Sequence, residues 1–247
     1  MSDWLQGRIK RRIDWHDSLF TLAIEASLAP FRAGQFIKLG LREGDGRMLS
    51  RAYSLVNPPH ADLLQVLAVK VETGQLSPAL HHLQPGDEVL VSANASGHLI
   101  LNEIPDGDSL WLLATGTGIS PFLSMLATAE PWQRFTRIVL VYGVRQQRDL
   151  AHLAEIEQRQ QEYPGQLILI PVVSREPMVG ALPGRIPELL ANGRLEQVAG
   201  LSLNCSSQVL LCGNPDMIHE TSELLQARGL KRHRRAEPGN LHSERYW

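Results

Sequence analysis

The sequence predicts a protein of two domains, an antiparallel β-barrel followed by an α/β domain built on a parallel sheet. Up to about residue 103 the chain shows short strand patterns separated by turns, which is typical of a small barrel. After Ile104–Gly107, apolar runs alternate with helical patterns, as in a parallel sheet covered by helices. A glycine turn, Gly116–Pro121, joins the first of these runs to a helix. We place the boundary between domains 1–104 and 105–247.

Composition and charge limit the classes of function. The chain has 247 residues, 43% hydrophobic and 20% charged, which predicts a soluble globular protein. Its net charge of -2 gives no support for nucleic-acid binding as the main activity. Two cysteines are too few for a disulfide framework or a four-thiolate cluster. With no apolar signal core or membrane-length apolar stretch, we expect a cytoplasmic protein without metal, membrane or nucleic-acid partners.

Strands of the N-terminal domain are predicted by alternation and by turns. Residues 19–26 follow a period close to two, and Gln35–Leu39 and Leu63–Val71 are further strand candidates. Turns are predicted at Gly44–Gly46 and Gln84–Asp87. Regular turns between short strands favour antiparallel pairing.

Strands of the C-terminal domain are predicted by four apolar runs: Leu110–Thr115, Arg137–Tyr142, Gln166–Val173 and Gln208–Cys212. Helical patterns follow at Leu150–Tyr163 and Pro215–Arg228. This alternation predicts helices on both faces of a parallel sheet.

A strand in the barrel carries the first candidate ligand site. Alternation places Arg51 and Tyr53 on one face, where a guanidinium can bind phosphate and an aromatic ring can stack on a flat heterocycle. Ser54 can hydrogen-bond a ring heteroatom. The alternative interpretation is an ordinary strand with a surface arginine and a core tyrosine.

Gly74–Pro78 adds a candidate pyrophosphate site. Ser77 is a favourable N-cap residue and Pro78 is favourable at the first helical position, so a short helix is predicted over Pro78–Leu83. Its positive end and the bare backbone of Gly74 suit an anion. The alternative is a structural turn into a surface helix.

The turn at Gly116–Pro121 is the second candidate ligand site. It lacks the G-x-G-x-x-G spacing, so the usual dinucleotide inference does not apply directly. However, it follows a buried strand, and ligands of open α/β sheets bind outside the carboxyl ends of the strands. A tight turn without a ligand is the alternative.

Two further strand ends carry polar or reactive side chains. Arg175 follows the Gln166–Val173 strand and Arg185 comes soon after, so together they can clamp a ribose 2′-phosphate unless both are only solvated. Cys212 ends the last apolar run, before Gly213–Pro215. It is either a small buried hydrophobic residue or a thiol near the reacting ring.

Five motifs occur in a fixed order along the chain: Arg51–Ser54, Gly74–Ser77, Gly116–Pro121, Cys212–Pro215 and the terminal Tyr246-Trp247. With these motifs the chain resembles the ferredoxin–NADP reductase family over essentially its whole length. The Tyr-Trp terminus resembles the enterobacterial type of the bacterial enzymes. The resemblance implies an FAD-binding barrel with non-covalent FAD and a domain that binds NADP(H). It also implies acidic ferredoxin or flavodoxin as partner.

The resemblance also implies roles for individual residues. Arg51 would contact the FAD pyrophosphate, Tyr53 would stack on the isoalloxazine, and Ser54 would lie by flavin N5. Tyr246 would cover the other flavin face, and Trp247 would fold toward the adenine end. The remaining cofactor contacts would come from Ala52, Leu67, Ala68, Val69, Lys70, Gly74, Gln75, Leu76, Ser77, Thr117, Val144, Arg145, Ser174, Arg175, Arg185 and Glu220. The candidate catalytic residues are Ser54, Cys212 and Tyr246.

We therefore expect a monomeric flavoenzyme that moves a hydride between nicotinamide C4 and flavin N5 and single electrons to or from the carrier. The basic clusters Arg8–Arg12 and Lys231–Arg235 are candidate docking patches, or else solvated charged faces. The alternative functions are a free-flavin or oxygenase-type NAD(P)H reductase and a non-catalytic nucleotide-binding regulator. With two cysteines, a fused plant-type iron–sulfur cluster is excluded.

Overall fold

The computed structural model describes residues 4–42, 44, 46–234 and 236–245. The chain divides into two compact units, each described here by itself. Unit 1 contains the chain up to Ile100 and the segment Ser120–Thr128, and unit 2 contains Leu101–Ile119 and the chain from Ala129 on. The predicted boundary after residue 104 lies close to the start of unit 2, and it remains a prediction.

Unit 1 contains a six-stranded antiparallel sheet with the order β4-β3-β6-β1-β2-β5. The sheet closes on itself, because a bridge joins Leu55 after β4 to Val66 on β5, and the amide of Val56 donates to the carbonyl of Gln65 at 2.8 Å. Closure removes exposed strand edges, and it confirms the predicted barrel. The strands are β1 (Trp4–His16), β2 (Leu19–Glu25), β3 (Phe36–Arg42), β4 (Met48–Ser54), β5 (Leu64–Val69) and β6 (Glu88–Ser92).

The core of unit 1 explains why this sequence forms a closed barrel. In β2 every residue except Glu25 is buried, so both faces of the strand are covered. Phe20, Ile37 and Leu39 are fully buried within one apolar cluster. Burial of such side chains stabilises the fold by roughly 1.5–3 kcal/mol each.

Within its described residues, unit 1 has two α-helices: α1 (Leu76–His82) and α2 (Ser120–Leu126). The prediction that α1 begins at Pro78 with Ser77 as its cap is wrong. Gln75 occupies the N-cap position without a side-chain cap, and the hydroxyl of Ser77 instead accepts a hydrogen bond from the amide of Val71 at 3.0 Å. The helix starts earlier because Leu76 packs into the barrel core together with Leu80.

Unit 2 contains a six-stranded parallel sheet with the order β10-β9-β8-β7-β11-β12, in which all neighbouring strands run parallel. The strands are β7 (Ser109–Thr115), β8 (Arg137–Val144), β9 (Leu167–Val173), β10 (Leu182–Pro183), β11 (Ser207–Gly213) and β12 (Leu241–Arg245). The helices are α3 (Glu130–Arg134), α4 (Leu153–Glu162), α5 (Ile186–Ala191), α6 (Arg194–Ala199) and α7 (Pro215–Ala227). The four predicted strands of this domain are confirmed, and the two-domain fold class is confirmed with them.

The strands β7, β8 and β11 form the apolar centre of unit 2. Trp111, Val139 and Leu211 are fully buried there, as expected for parallel strands covered on both faces. Among the described residues, no helix combines the length and the apolar composition needed to span a membrane.

Candidate functional site

The strand order of unit 2 creates a topological switch point between β7 and β11. From β7 the chain proceeds through β8, β9 and β10 toward one edge of the sheet, and then returns to place β11 and β12 on the other side of β7. Open parallel sheets bind ligands outside the carboxyl ends of the strands that flank such a reversal. Here those ends are the Gly116–Ile119 turn after β7 and the Gly213-Asn214 turn after β11.

Glycines allow the two turns to approach closely. A Cβ atom on Gly118 would lie 2.5 Å from the carbonyl oxygen of Cys212. Gly213 has φ +131°, and a Cβ atom there would lie 2.2 Å from Thr115 Oγ1. Thr115 Oγ1 also accepts a hydrogen bond from the amide of Asn214 at 2.8 Å. The backbone around the switch point is therefore fixed by contacts that only glycine permits.

Gly116 differs from these two glycines because it faces open space. Its φ is +54°, and a Cβ atom built on it would meet nothing within 4 Å. The next residue, Thr117, is buried inside the same short 3-10 turn. The half-buried Gly116 thus leaves open space beside its backbone, which fits close approach by a phosphate-bearing nucleotide.

Residues proposed for NADP meet at the carboxyl ends of β8 and β9. The amide of Ser174 donates to Val144 O at 3.1 Å, and the amide of Arg175 donates to Arg145 O at 2.9 Å. The side chains of Arg145, Ser174 and Arg175 are exposed. This continuation of the strand ladder places two arginines side by side, where they can reach a phosphate group.

Arg185 reaches the same edge of the sheet through β10. The amide of Gly184 donates to Val173 O at 3.4 Å. Because Val173 is the last residue of β9, Arg185 lies next to the carboxyl end of that strand. Arg185 Nη2 lies 3.6 Å from Glu220 Oε1 of α7, and both side chains are about half exposed. Glu220 therefore orients Arg185, and the pair is open to a ligand.

Cys212, which is buried, is paired with the half-buried Glu244, and the sequence analysis singled out only Cys212. Cys212 is completely buried, and it pairs with Glu244 in the β11–β12 register. Burial raises the pKa of the Cys212 thiol well above its usual range, and the nearby Glu244 adds to the shift. Burial also raises the pKa of Glu244 to about 7. Nothing in the polar sequence Leu241–Arg245 signals this, because the burial arises from pairing with β11.

The raised pKa of Glu244 predicts a pH-dependent stability. The folded state keeps this proton up to about pH 7, whereas the unfolded chain loses it near 4.5. The stability associated with neutral Glu244 is therefore present below 4.5 and is lost as the pH rises through about 7. We expect Glu244→Gln to abolish this loss, measured as the free energy of unfolding in urea at about pH 5 and about pH 8. Glu157→Gln, which removes an exposed carboxylate of α4, should follow the wild type; equal pH profiles for Glu244→Gln and wild type would contradict the assignment.

Of the four residues of β4 that are proposed to contact the flavin cofactor, two are exposed and two are buried. Arg51 and Ala52 are exposed, whereas Tyr53 and Ser54 are buried. Arg51 and Tyr53 oppose Leu39 and Ile37 of β3, so they share a face of the sheet as predicted. One nitrogen of the Arg51 guanidinium donates to Ser50 O at 2.8 Å. Burial raises the pKa of Tyr53 to about 12, so its phenol is neutral at physiological pH.

The remaining proposed flavin contacts lie on β5 and in the turn that leads into α1. Leu67 and Ala68 are buried, Val69 is 39% exposed, and Lys70 Nζ lies 3.0 Å from Glu72 Oε1. The amide of Gly74 donates to Val71 O at 2.8 Å, which tightens the turn. The predicted roles of Tyr246 and Trp247 lie outside the described residues.

Comparisons with known families define the class of protein. The model for the oxidoreductase FAD-binding domain matches residues 9–99, and the model for the oxidoreductase NAD-binding domain matches residues 112–223. The matched ranges correspond to the barrel and to the sheet that carries the switch point. The fold and the site thus define an oxidoreductase with one flavin domain and one nicotinamide domain.

Close relatives give the particular family. The chain is 45% identical to the flavodoxin/ferredoxin–NADP reductases of Shigella flexneri and Escherichia coli, over 100% of both sequences. It is 38% identical to the ferredoxin–NADP reductase of Azotobacter vinelandii, over 94% of this chain and 93% of that protein. A crystal structure of a ferredoxin NADP⁺ reductase from Neisseria gonorrhoeae with bound FAD and NADP superposes with a TM-score of 0.94 at 34% identity, covering 99% of both chains. The chain belongs to the flavodoxin/ferredoxin–NADP reductase family.

Proposed function

We propose that this chain is an FAD-dependent reductase that moves electrons between NADP(H) and ferredoxin or flavodoxin. The observation that carries the proposal is the glycine-built turn at the β7–β11 switch point, with exposed arginines at neighbouring strand ends. The match of unit 1 to an FAD-binding domain supports the flavin half. The full-length relatives named for both carriers support the electron acceptor.

Separate sets of residues would bind the two cofactors. Arg51 and the Gly74–Ser77 turn would hold the FAD phosphates, and Tyr53 and Ser54 the flavin ring. Thr117, Arg145, Arg175 and Arg185 would hold NADP(H), with the arginines reading its 2′-phosphate. Tyr246 would cover the other flavin face, and Trp247 would fold toward the adenine end. The resemblance supports all of these assignments, and the exposed arginines at the strand ends of unit 2 also support the NADP(H) assignments.

The protein's contribution to the chemistry is orientation and a low local dielectric. Held by Arg51, Tyr53, Ser54 and the Gly74–Ser77 turn, FAD would supply hydride exchange between its N5 and nicotinamide C4 and single-electron transfer to the carrier. Burial raises the pKa of Tyr53 to about 12, and its neutral phenol would add no negative charge near the flavin. Cys212 is held as a neutral thiol by burial, so it serves by packing and not as a nucleophile.

Of the two candidate docking patches, the structure favours the C-terminal one. In the Arg8–Arg12 segment, Arg8, Lys10 and Arg12 lie within 4 Å of Glu88, Glu25 and Asp14, respectively. Lys231, Arg232 and Arg234 are exposed. Arg235 lies outside the described residues. We therefore assign docking of the acidic carrier to the segment Lys231–Arg234.

Charge reversal in this segment should weaken carrier reduction. We expect the double variant Lys231→Glu, Arg232→Glu to raise the apparent KM for flavodoxin or ferredoxin by at least about tenfold at low salt, because like charges oppose docking. The difference should shrink toward 1 M salt, where the Debye length is about 3 Å. Reduction of a small neutral dye should stay unchanged. The control variant Arg159→Glu, Arg194→Glu makes the same change in net charge on α4 and α6; an equal rise in KM there would show a non-specific effect.

The flavin half of the proposal can be tested directly on the purified protein. We expect bound FAD at about one per chain, released into the supernatant by acid precipitation, because no Cys or His lies in the flavin motifs to form a covalent link. Added flavodoxin or ferredoxin should then be reduced by NADPH. A colourless protein, or colour that stays in the pellet, would contradict the proposal. We also propose that the protein is a monomer, and that it is cytoplasmic, for which the free thiols of Cys205 and Cys212 are the support.

A further inference from the structure

Arg12 differs from the other cations of β1 because it is buried. Its side chain is 8% exposed, compared with 57% for Arg8 and 42% for Lys10 on the same strand. A guanidinium withdrawn from water needs hydrogen-bond partners and a counter-charge. Its partners therefore indicate what the residue does.

Asp14 and Phe20 hold the Arg12 guanidinium in place. Arg12 Nε donates to Asp14 Oδ1 and Oδ2 at 2.9 and 3.0 Å, and Nη2 donates to Oδ1. The guanidinium carbon lies 4.9 Å from the centre of the fully buried Phe20 ring. The Arg12 hydrogen bond lowers the pKa of Asp14, so the carboxylate stays charged at neutral pH. A bidentate ion pair over an aromatic ring leaves the arginine one orientation.

The remaining donor of Arg12 is directed at the end of α1. Arg12 Nη1 donates to the carbonyl of His81 and, at 3.2 Å, to the carbonyl of Leu83. His81 lies in the last turn of α1, and Leu83 directly follows the helix. At the C-terminal end of a helix, carbonyl groups have no backbone amide within the helix to accept a hydrogen bond from. A cation at this end also complements the helix dipole. Arg12 thus clamps the C-terminal turn of α1 to the barrel.

Clamping α1 also fixes the turn that precedes it. The helix has only seven residues and no side-chain N-cap, so its position depends on tertiary contacts. Its first turn is joined to the preceding loop through Ser77 Oγ, which accepts from Val71 N, and Gly74 N donates to Val71 O. A shift of α1 along its axis would therefore move Gly74–Ser77 as well.

We propose that Arg12, held by Asp14, is a positioning residue for the FAD diphosphate. It acts through α1 on the Gly74–Ser77 turn, and it does not take part in carrier docking. The inference rests on the proposed assignment of that turn to FAD. It also accounts for a buried arginine side chain on a strand whose other cations are more exposed.

The test compares Arg12→Gln with Arg8→Gln, which removes an exposed cation from the same strand. We expect Arg12→Gln to raise the Kd for FAD, measured by release on dilution of the holoprotein, by about ten- to a hundred-fold, and Arg8→Gln to leave it unchanged. At saturating FAD, the ³¹P resonances of the bound diphosphate should shift in Arg12→Gln only. Arg12→Lys should rescue only part of the affinity, because an ammonium cannot reproduce the fork geometry.

Asp14→Asn provides a second variant that keeps the Arg12 charge, and it covers the case in which Arg12→Gln does not fold. It should change Kd and ³¹P resonances in the same direction by a smaller amount. An unchanged Kd, or a raised Kd with unchanged ³¹P resonances, would overturn the positioning role and leave only a contribution to stability. Absence of FAD from the wild type would instead refute the proposed function, so the two failures are distinguishable.

Discussion

Arg175→Ala should reduce kcat/KM for NADPH by about ten- to a hundred-fold and leave kcat/KM for NADH nearly unchanged. Arg175 is exposed at the carboxyl end of β9, and its amide is bonded to Arg145 O. A hydrogen bond to a charged group contributes roughly 1.5–3 kcal/mol, and each 1.4 kcal/mol is about a factor of ten. Only NADPH carries the 2′-phosphate, so the loss should be specific to it.

The matched control for this prediction is Arg194→Ala. Arg194 is also exposed in unit 2, but it lies at the start of α6, where Nη1 donates to Gln197 Oε1 at 2.7 Å. Arg194→Ala should leave kcat/KM unchanged for both NADPH and NADH in steady-state kinetics with a dye acceptor. Equal losses for NADPH and NADH in Arg175→Ala would show that this arginine does not read the 2′-phosphate.

Gly118→Ala should strongly destabilise unit 2. The new methyl group would lie 2.5 Å from Cys212 O and 2.7 Å from the Cα of Gly213, and backbone atoms cannot move aside as a flexible side chain can. Overpacking of this kind costs about 1–3 kcal/mol and occasionally more. We expect a clear loss of stability in urea unfolding, together with loss of NADP⁺ binding because the two turns are forced apart.

Gly116→Ala, at the switch point, and Gly200→Ala, at the C-terminal end of α6, separate nucleotide binding from stability. Both glycines have a left-handed φ, +54° and +59°, and neither would place a Cβ atom within 4 Å of another group. Each substitution should therefore cost a similar 1 kcal/mol or so of stability. Only Gly116→Ala should weaken NADP⁺ binding in a calorimetric titration, because only its methyl group enters the space assigned to the nucleotide. Equal affinities in the two variants would place the nucleotide elsewhere.

The fold was largely predictable because its central strands are apolar. The runs that became β7, β8, β9 and β11 were each located to within about two residues, since parallel strands covered on both faces leave a strong apolar pattern. Strand β1 was not predicted, because its basic residues suggested a surface cluster. Strands β6, β10 and β12 were also missed: β10 has two residues, and β12 is mostly polar.

The types of residue in the candidate site could be predicted from the sequence, but the contacts between residues that are distant in sequence could not. Glycine turns and arginines at strand ends mark the nucleotide site in sequence, whereas the Arg185–Glu220 contact depends on how α7 packs beside α5. Glu244 was missed because its partial burial comes from the register with Cys212. Ser77 was predicted to cap α1, but core packing of Leu76 started the helix earlier. In each case a tertiary contact overrode the local preference.

The most direct measurement is anaerobic rapid mixing of the purified holoprotein with NADPH or NADH, while the flavin absorbance is followed. NADPH should bleach the bound flavin at least about tenfold faster than NADH at equal concentration, in line with a charge-assisted contact to the 2′-phosphate. Oxidised flavodoxin or ferredoxin added afterwards should restore the flavin absorbance. A flavin that NADPH does not bleach, or that bleaches but is not reoxidised by either carrier, would contradict electron transfer from NADPH through FAD to the carrier.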